Sequence, residues 1–365
     1  MIAPSLAAPQ HEPRPLPLFL SLLLQHAKGD AAFIRDVLAG VNAYRTASRA
    51  PRPPAMPEIA RQGRARLLDY GGNGATVLFV PSLINPPYVL DLSSENSLLR
   101  WLARQGVNPV LLDWGDPRES DGALSLGGHV EALLLPLIDR LTALRGAPPI
   151  LAGYCLGGTL TLCAAQHCPP AGLVLVAAPW DFSGYPPDAR ANMQGLWDAS
   201  ASGTDLLGLF PMELLQTIFW QLDPQRTLSK YAEFGRLDPE SARAREFVTL
   251  EDWANDGPPL TREAARELLL DLHVANLSGE GRWHVGGRAM APETVKCPLL
   301  NIQSGVDRIV PAASAPRVGD IRTFGQGHVG MVVGSRARNE LWAQLAGWLA
   351  SLPGPAGQKR RTKRK

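Results

Sequence analysis

The chain of 365 residues lacks the features that mark several classes of protein. It contains only four cysteines with no Cys-x-x-Cys pair among them, so neither a disulfide framework nor a structural zinc site is expected. The longest apolar run near the start, 16–24, is about half as long as a membrane span requires. We therefore predict no transmembrane segment and no metal site, and the reduced thiols indicate a cytoplasmic protein.

Charge and cofactor motifs are also sparse. Charged residues make up 19% of the chain, with 36 basic against 34 acidic side chains. Six of the basic residues lie in the tail 359–365, so the remainder is mildly acidic and nucleic-acid binding is not expected. No Gly-x-Gly-x-x-Gly follows the first strand-like run, which argues against a dinucleotide site. We expect no cofactor.

The apolar residues, 45% of the chain, are arranged in short runs that alternate with helical patterns. Four runs typical of buried strands lie between residues 75 and 178, and each of the first three is followed by a helical pattern. Strand character returns at 298–303 and 320–324, before a last amphipathic helix at about 336–349. This alternation predicts a mostly parallel sheet with helices on both faces.

The alternation is interrupted after residue 182. Residues 183–290 are rich in Trp, Asp, Pro and helix formers and contain no convincing buried strand, which predicts a helical cap inserted into one fold. The predicted divisions are an N-terminal leader and helical segment (1–60), the first part of the core (61–182), the inserted cap (183–290), the second part of the core (291–352) and a basic disordered tail (353–365).

A strand-to-helix junction carries the sharpest chemical signal, the sequence Gly-Tyr-Cys-Leu-Gly at 153–157. This is the nucleophile-elbow pattern with Cys155 in the place usually held by serine. The sharp turn requires small residues two positions before and after the nucleophile, and Gly153 and Gly157 meet that need. The N-terminus of the following helix favours a thiolate. An ordinary turn with a buried cysteine fits the same five residues.

Two further residues follow in the order that α/β-hydrolase triads use, which is nucleophile, acid and histidine. Of the seven histidines, His328 alone lies in a glycine-rich loop beyond the resumed strands. Asp307 comes after the strand 298–303, at the carboxyl end where such sheets place their sites. The rival acid, Asp320, would begin a strand and so lie at the opposite edge. We predict a Cys155–Asp307–His328 triad in an α/β-hydrolase fold with an inserted helical cap.

An oxyanion hole for this triad needs two backbone N–H donors. Leu156, directly after the nucleophile, is predicted to supply one. The other is predicted to come from the loop after the first core strand, at Leu83. A simple proline-containing turn explains that loop equally well.

At these residues the chain resembles the polyhydroxyalkanoate (poly-3-hydroxybutyrate) synthases, over roughly 65–350. The family has a cysteine nucleophile where most α/β hydrolases keep serine. The segments that carry the resemblance are 81–98, 112–117, 153–159, 253–256, 285–288 and the loops that contain Asp307 and His328.

The resemblance implies transfer of a 3-hydroxyacyl group from coenzyme A onto Cys155 and then onto a growing polyester. His328 would deprotonate the thiol, and Asp307 would orient His328. Coenzyme A thioester is then a substrate and not a cofactor. The chain length is similar to that of the short synthase type, which implies a second synthase subunit or a homodimer as partner and a place at polyester granules.

Two other readings stay open at this point. An α/β hydrolase, either an acyl-CoA thioesterase or an intracellular polyester depolymerase, would use the same three residues with water as acceptor. A non-catalytic granule-associated protein could keep the fold, although it has no need to keep all three residues. Arg308 departs from the synthase pattern, because many relatives carry histidine there.

Overall fold

The computed structural model describes residues 11–352. The first ten residues of the predicted leader and the predicted tail 353–365 lie outside the described residues. The chain divides into two compact units, one from Met1–Pro53 with Pro211–Pro258 and the other from Pro54–Phe210 with Pro259–Lys365.

The larger unit is built on an eight-stranded sheet with the order β1-β2-β4-β3-β5-β6-β11-β12. Neighbours from β4 to β12 along this order pair in parallel, whereas β1 with β2 and β2 with β4 are antiparallel. The predicted α/β-hydrolase fold is therefore confirmed. The strands are β1 (Glu58–Gln62), β2 (Ala65–Asp69), β3 (Thr76–Val80), β4 (Asn108–Asp113), β5 (Ile150–Tyr154), β6 (Gly172–Val176), β7 (Leu209–Phe210), β8 (Leu260–Thr261), β9 (His284–Val285), β10 (Arg288–Ala289), β11 (Leu299–Ser304) and β12 (Asp320–Phe324).

Helices follow most of the core strands. The chain also contains π-helical and 3-10 turns. The α-helices are α1 (Leu16–Ala27), α2 (Ala31–Thr46), α3 (Leu98–Arg104), α4 (Leu126–His129), α5 (Leu135–Arg145), α6 (Leu156–His167), α7 (Pro187–Leu207), α8 (Met212–Leu222), α9 (Pro224–Phe234), α10 (Ala242–Ala254), α11 (Arg262–Arg266), α12 (Gly330–Val333) and α13 (Ala343–Ser351). The π-helical turns are Val130–Leu134, Glu267–Val274 and Arg338–Trp342, and the 3-10 turns are Pro87–Leu90, Glu119–Asp121, Phe182–Gly184, Pro292–Thr294 and Ala312–Ser314.

The apolar runs in the sequence correspond to the central strands of this sheet. Every residue of β5 and of β6 is buried, as is required of strands that are covered by helices on both faces. The sheet begins with a β1–β2 hairpin that the sequence pattern did not predict. Its strands are rich in charged residues and only partly buried, so they carry no apolar signal. Gly63, with φ at +55°, makes the turn between them.

The predicted cap does not form one body with boundaries at 183 and 290. Residues 211–258 group with the N-terminal segment, whereas 183–210 and 259–290 group with the sheet. The short strands β7 and β8 pair antiparallel within the larger unit, at the two points where the chain leaves and rejoins it. Sequence periodicity does not show this division, because it depends on contacts between segments about 200 residues apart.

The smaller unit has its own aromatic core, formed by α1 and α2 together with α8, α9 and α10. Phe19 packs edge-on against Trp220 and Tyr231, with ring centroids 5.4 and 5.2 Å apart. Gly40 lies directly against the backbone of Tyr231, where a Cβ atom would stand 1.8 Å from the carbonyl oxygen. The predicted single helical segment is two helices, since Asp30 caps α2 and accepts hydrogen bonds from two backbone N–H groups.

A network of polar side chains ties the N-terminal segment to α10 within this unit. The Tyr44 hydroxyl donates to Asp252 at 2.7 Å, and the Tyr231 hydroxyl donates to Glu251 at 2.6 Å. Asn255 accepts from the backbone N–H of Arg14 at 3.1 Å. The segment around 253–256 that carries part of the family resemblance therefore includes a structural anchor.

In the larger unit, His129 is a buried histidine whose protonation state is set by its partners. Nδ1 lies 2.7 Å from the carbonyl oxygen of Ser125, which can only accept, and Nε2 lies 2.7 Å from Arg64 Nη2, which can only donate. The ring is therefore neutral, with its proton on Nδ1. Burial, reinforced by the charge of Arg64, lowers the pKa of His129 to about 4.

We predict that His129 makes the protein less stable in mild acid. A buried base whose pKa is lowered in the folded state contributes its full stability at pH values above its unfolded-state pKa of about 6.5. This contribution is lost as the pH falls from there through the folded-state pKa of about 4. The full effect is about 3 kcal/mol in the free energy of unfolding. Urea unfolding at pH 7, 6 and 5 should show a shallower loss of stability for His129→Gln than for the unchanged protein. Parallel losses in the two proteins would contradict the prediction.

Candidate active site

Cys155 occupies a strained position between β5 and α6. Its φ and ψ angles are +56° and −131°, a conformation that residues with a Cβ atom rarely adopt. Its N–H donates to the carbonyl oxygen of Val176 at 2.9 Å, and its own carbonyl accepts from Gly158 N–H at 2.8 Å. The backbone thus leaves β5 in a sharp turn, with the thiol at the carboxyl end of the sheet.

The glycines around Cys155 are required by close approach of backbone to backbone. A Cβ on Gly153 would lie 2.4 Å from Gly158 Cα, and one on Gly157 would lie 2.2 Å from the Val80 carbonyl oxygen. A Cβ on Gly158 would lie 2.4 Å from Ala178 Cβ. Any side chain at these positions would push α6 away from the sheet. The predicted elbow residues Gly153 and Gly157 therefore lie where the turn needs them.

Asp307 and His328 come together at the same edge of the sheet. His328 Nδ1 lies 2.6 Å from Asp307 Oδ2, and the two side chains are only 7% and 0% exposed. The other carboxylate oxygen, Oδ1, accepts from the N–H groups of Ile309 at 2.8 Å and Val310 at 2.9 Å. The carboxylate is thus held by its own turn and faces the imidazole.

Cys155 lies close enough to His328 for its charge to act on the imidazole. Burial alone would lower the pKa of His328, but the negative charges of Cys155 and Asp307 and their hydrogen bonds outweigh it and raise the pKa to about 10. Both acidic neighbours therefore favour the protonated imidazole. This arrangement can hold a thiolate against an imidazolium that a buried carboxylate orients.

The other three cysteines lie in different surroundings. Cys163 is buried within α6, and burial raises the pKa of its thiol well above the usual value. Burial also raises the pKa of Cys168, with the charge of Asp139 adding to it, and raises that of Cys297 to about 11. Among residues 11–352, no cation contributes to the pKa shifts of these three thiols.

The rival acid Asp320 lies away from the triad. It is the exposed first residue of β12 and pairs with Arg322 at 2.7 Å. The strand β12 runs parallel to β11, so its first residue lies at the opposite edge from Asp307. Asp320 is thus separated from His328 by the length of the strand.

The predicted oxyanion loop lies next to the elbow. A Cβ atom placed on Gly157 would lie 2.2 to 2.6 Å from backbone atoms of Val80 and Pro81, which come shortly before Leu83 in the chain. The Trp114 indole donates to the Pro81 carbonyl at 3.0 Å and fixes the start of this loop. Within residues 11–352, no hydrogen bond uses the N–H of Leu83 or of Leu156. Their role as donors to an oxyanion stays a prediction.

Two residues that sequence reasoning missed hold the loops of the site. Ser304 is buried at the end of β11, and its hydroxyl donates to the Gln326 carbonyl at 2.5 Å and accepts from Val306 N–H at 3.1 Å. This links the loop of Asp307 to the loop of His328. Tyr154 stacks on the His328 ring, with centroids 5.1 Å apart. The position of Tyr154 directly before the nucleophile was the only signal for it in the sequence.

The part of the chain that the structure describes contains no group of three or more His, Cys, Asp and Glu side chains that could hold a metal ion. In the same residues, no helix combines the length and apolar character that crossing a membrane demands.

Comparison with known proteins identifies relatives over most of the chain. Residues 77–343 match the alpha/beta hydrolase family. Three proteins named poly(3-hydroxyalkanoate) polymerase subunit PhaC are similar in sequence. The one from Synechocystis is 30% identical over 75% of this chain and 77% of its own length, that from Haloferax mediterranei is 28% identical over 80% and 63%, and that from Allochromatium vinosum is 28% identical over 75% and 80%.

Among solved structures, a lipase from Sulfolobus solfataricus superposes with a TM-score of 0.51 at 14% identity. The match covers 80% of this chain and 98% of the lipase. At this level of identity the likeness concerns the fold alone.

We predict that Cys155 is the fastest of the four thiols to react with iodoacetamide at pH 7. Cys155 lies at the N-terminus of α6 beside His328, an environment that favours a reactive thiolate, whereas burial raises the pKa of the other three thiols. Peptide mapping by mass spectrometry should show labelling of Cys155 about tenfold faster than of Cys168 or Cys297.

The matched control is His328→Asn, which should slow the labelling of Cys155 and leave that of Cys168 and Cys297 unchanged. Labelling of Cys168 or Cys297 before Cys155 would refute the prediction.

Proposed function

Because the chain belongs to the poly(3-hydroxyalkanoate) polymerase family, within the α/β hydrolases, we propose that it transfers 3-hydroxyacyl groups from coenzyme A through Cys155 onto a growing polyester. This membership confirms the resemblance seen in the sequence. It also confirms the expectation of an acyl-transferring enzyme. One observation carries the proposal, which is a cysteine at the elbow beside a histidine whose Nδ1 lies 2.6 Å from a buried carboxylate. A thiolate nucleophile suits exchange between two thioesters of similar energy.

In the first half-reaction the Cys155 thiolate attacks the thioester carbonyl of the acyl-CoA. A bond forms between Sγ and the acyl carbon, and the bond from that carbon to the sulfur of coenzyme A breaks. The N–H groups of Leu83 and Leu156 stabilise the oxyanion of the tetrahedral intermediate. The imidazolium of His328 gives its proton to the departing thiolate, which leaves His328 neutral.

In the second half-reaction the neutral His328 takes the proton from the acceptor hydroxyl at the end of the polyester. The oxygen attacks the acyl-cysteine, the carbon–sulfur bond breaks, and the thiolate–imidazolium pair of Cys155 and His328 is restored. Asp307 keeps the imidazole oriented and compensates its charge through the 2.6 Å contact to Nδ1. Water in place of the polyester hydroxyl would make the same site a hydrolase.

The relatives are named as subunits of a polymerase. By analogy, we propose that this chain acts with a second polypeptide, either a different synthase subunit or another copy of itself. Because the product is a water-insoluble polyester, the place of action is the cytoplasm at the surface of polyester granules.

We predict that the purified protein, incubated with 3-hydroxybutyryl-CoA, releases coenzyme A and forms polyester in step with it. Free thiol would be measured with a chromogenic disulfide, and free 3-hydroxybutyrate and polymer would be measured by chromatography. Free acid equal to the released coenzyme A would instead establish a thioesterase. A protein that releases no coenzyme A, even on addition of an oligomeric hydroxybutyrate primer, would contradict both enzymatic functions.

We further predict that Asp307→Asn accumulates the acyl-enzyme. The asparagine cannot accept the Nδ1 proton as a carboxylate does, so the neutral base is poorly held for removing a proton from an alcohol. Acylation depends less on a perfect base, because a thiol ionises far more readily than an alcohol. Rapid mixing with 3-hydroxybutyryl-CoA should give an initial burst of about one coenzyme A per Cys155, followed by turnover slowed about a hundredfold or more.

Asp320→Asn is the control for this experiment. Its side chain is exposed and pairs only with Arg322 in the described structure, so its turnover should equal that of the unchanged protein. Normal turnover of Asp307→Asn together with a stalled Asp320→Asn would show that the acid has been misassigned.

A further inference from the structure

Tyr154 makes two independent contacts with His328. Its ring stacks on the imidazole, with centroids 5.1 Å apart and planes inclined by 25°. Its hydroxyl donates a hydrogen bond to the backbone carbonyl of His328 at 3.3 Å. Tyr154 is the last residue of β5, is 5% exposed and directly precedes Cys155. One rigid strand end therefore carries the nucleophile and also contacts both the ring and the backbone of the base.

The loop that carries His328 needs such support because of its glycines. A Cβ on Gly325 or Gly327 would meet no atom within 4 Å, so no close packing restrains the loop on that side of either glycine. The hydrogen bond from Nδ1 to Asp307 fixes one atom of the imidazole but leaves rotation of the ring about that bond. A stacked aromatic ring removes this freedom, because it restricts the imidazole to one plane.

The phenol of Tyr154 keeps its proton over the whole working range of pH. Burial raises its pKa well above the ordinary value, and the negative charges of Cys155 and Asp307 raise it further. The hydroxyl is therefore always a donor to the His328 carbonyl. The neutral ring presents its π face to the imidazole, and an aromatic face is favourable next to a cation.

We propose that Tyr154 is a positioning residue that fixes the plane of the His328 imidazole and stabilises its protonated form against the Cys155 thiolate. The inference rests on the proposed function in taking His328 as the base of acyl transfer. Tyr154 acts through His328. The ring contributes the stacking and the stabilisation of the cation, and the hydroxyl contributes the anchoring of the loop.

Three variants separate these contributions. Tyr154→Phe keeps the ring and loses the hydroxyl, whereas Tyr154→Leu loses both. Tyr70→Phe is the matched control, since Tyr70 is also buried in the same unit and its hydroxyl donates to Asp91 at 2.9 Å. The first readout is the rate of Cys155 alkylation by iodoacetamide as a function of pH, which needs no acyl substrate. The second is kcat and KM for 3-hydroxybutyryl-CoA.

For Tyr154→Phe we expect kcat to fall about fivefold, with KM and the midpoint of the alkylation curve unchanged. For Tyr154→Leu we expect kcat to fall about fiftyfold and the midpoint of the alkylation curve to move to higher pH by about one unit. The shift has this direction because a less stable imidazolium favours the thiolate less. Tyr70→Phe should match the unchanged protein in both readouts.

The Tyr154→Leu variant overturns the inference if it unfolds cooperatively and still has the alkylation curve of the unchanged protein. Tyr154 would then be a core residue only. If Tyr154→Leu does not fold, the Phe variant decides, and a kcat equal to that of Tyr70→Phe would overturn the inference. Phe and Leu variants with equal losses and equal curves would also overturn it, because the ring would then contribute nothing. Absence of coenzyme A release by the unchanged protein would remove the proposed function, while the alkylation curves would still test the role of Tyr154.

Discussion

The close approach of α6 to the strands beneath it is the constraint on which the site depends. A left-handed backbone at a residue with a Cβ costs about 1 to 2 kcal/mol and persists only where its surroundings enforce it. Here the enforcement is steric and comes from glycines at 153, 157 and 158, none of which has room for a Cβ. The hydrogen bond from Cys155 N–H to the Val176 carbonyl fixes the turn from the neighbouring strand. The close packing of α6 also places its first turn against the loop after β3, which contains the second residue of the predicted oxyanion hole.

The parallel sheet brings the three residues of the predicted triad together, because it places three strand ends at one edge. Cys155 follows β5, Asp307 follows β11 and His328 follows β12, so their loops meet although the residues are far apart in sequence. Burial of Asp307 and His328 makes the environment less polar, which strengthens the interaction between their charges. Burial of a carboxylate also has a desolvation cost, and the two N–H donors from Ile309 and Val310 offset it. These two donors also hold the carboxylate in place beside the imidazole.

Residue patterns predicted the parallel sheet and the elbow because both depend on short stretches of local sequence. Buried parallel strands read as apolar runs, and the elbow reads as a cysteine between two glycines. What the patterns missed depends on partners distant in sequence. The β1–β2 hairpin has no apolar alternation, and the grouping of 211–258 with the N-terminal helices arises from packing of side chains such as Phe19 and Trp220. The role of Tyr154 could not be predicted from the motif, since the residue it contacts is 174 positions away.

The chemistry of a thiol explains why this elbow carries cysteine where serine is usual. The charges of Cys155 and Asp307 raise the pKa of His328, so the site favours an imidazolium. A serine alkoxide would take that proton back at once, because an alcohol is a far weaker acid than an imidazolium. A thiolate is close enough in basicity to coexist with it. In the proposed cycle the histidine therefore begins as an acid that can protonate departing coenzyme A, and it becomes a base only when the acyl-cysteine has formed. A proton acceptor thus becomes available at the step where an acceptor hydroxyl must be activated, so one histidine serves both half-reactions.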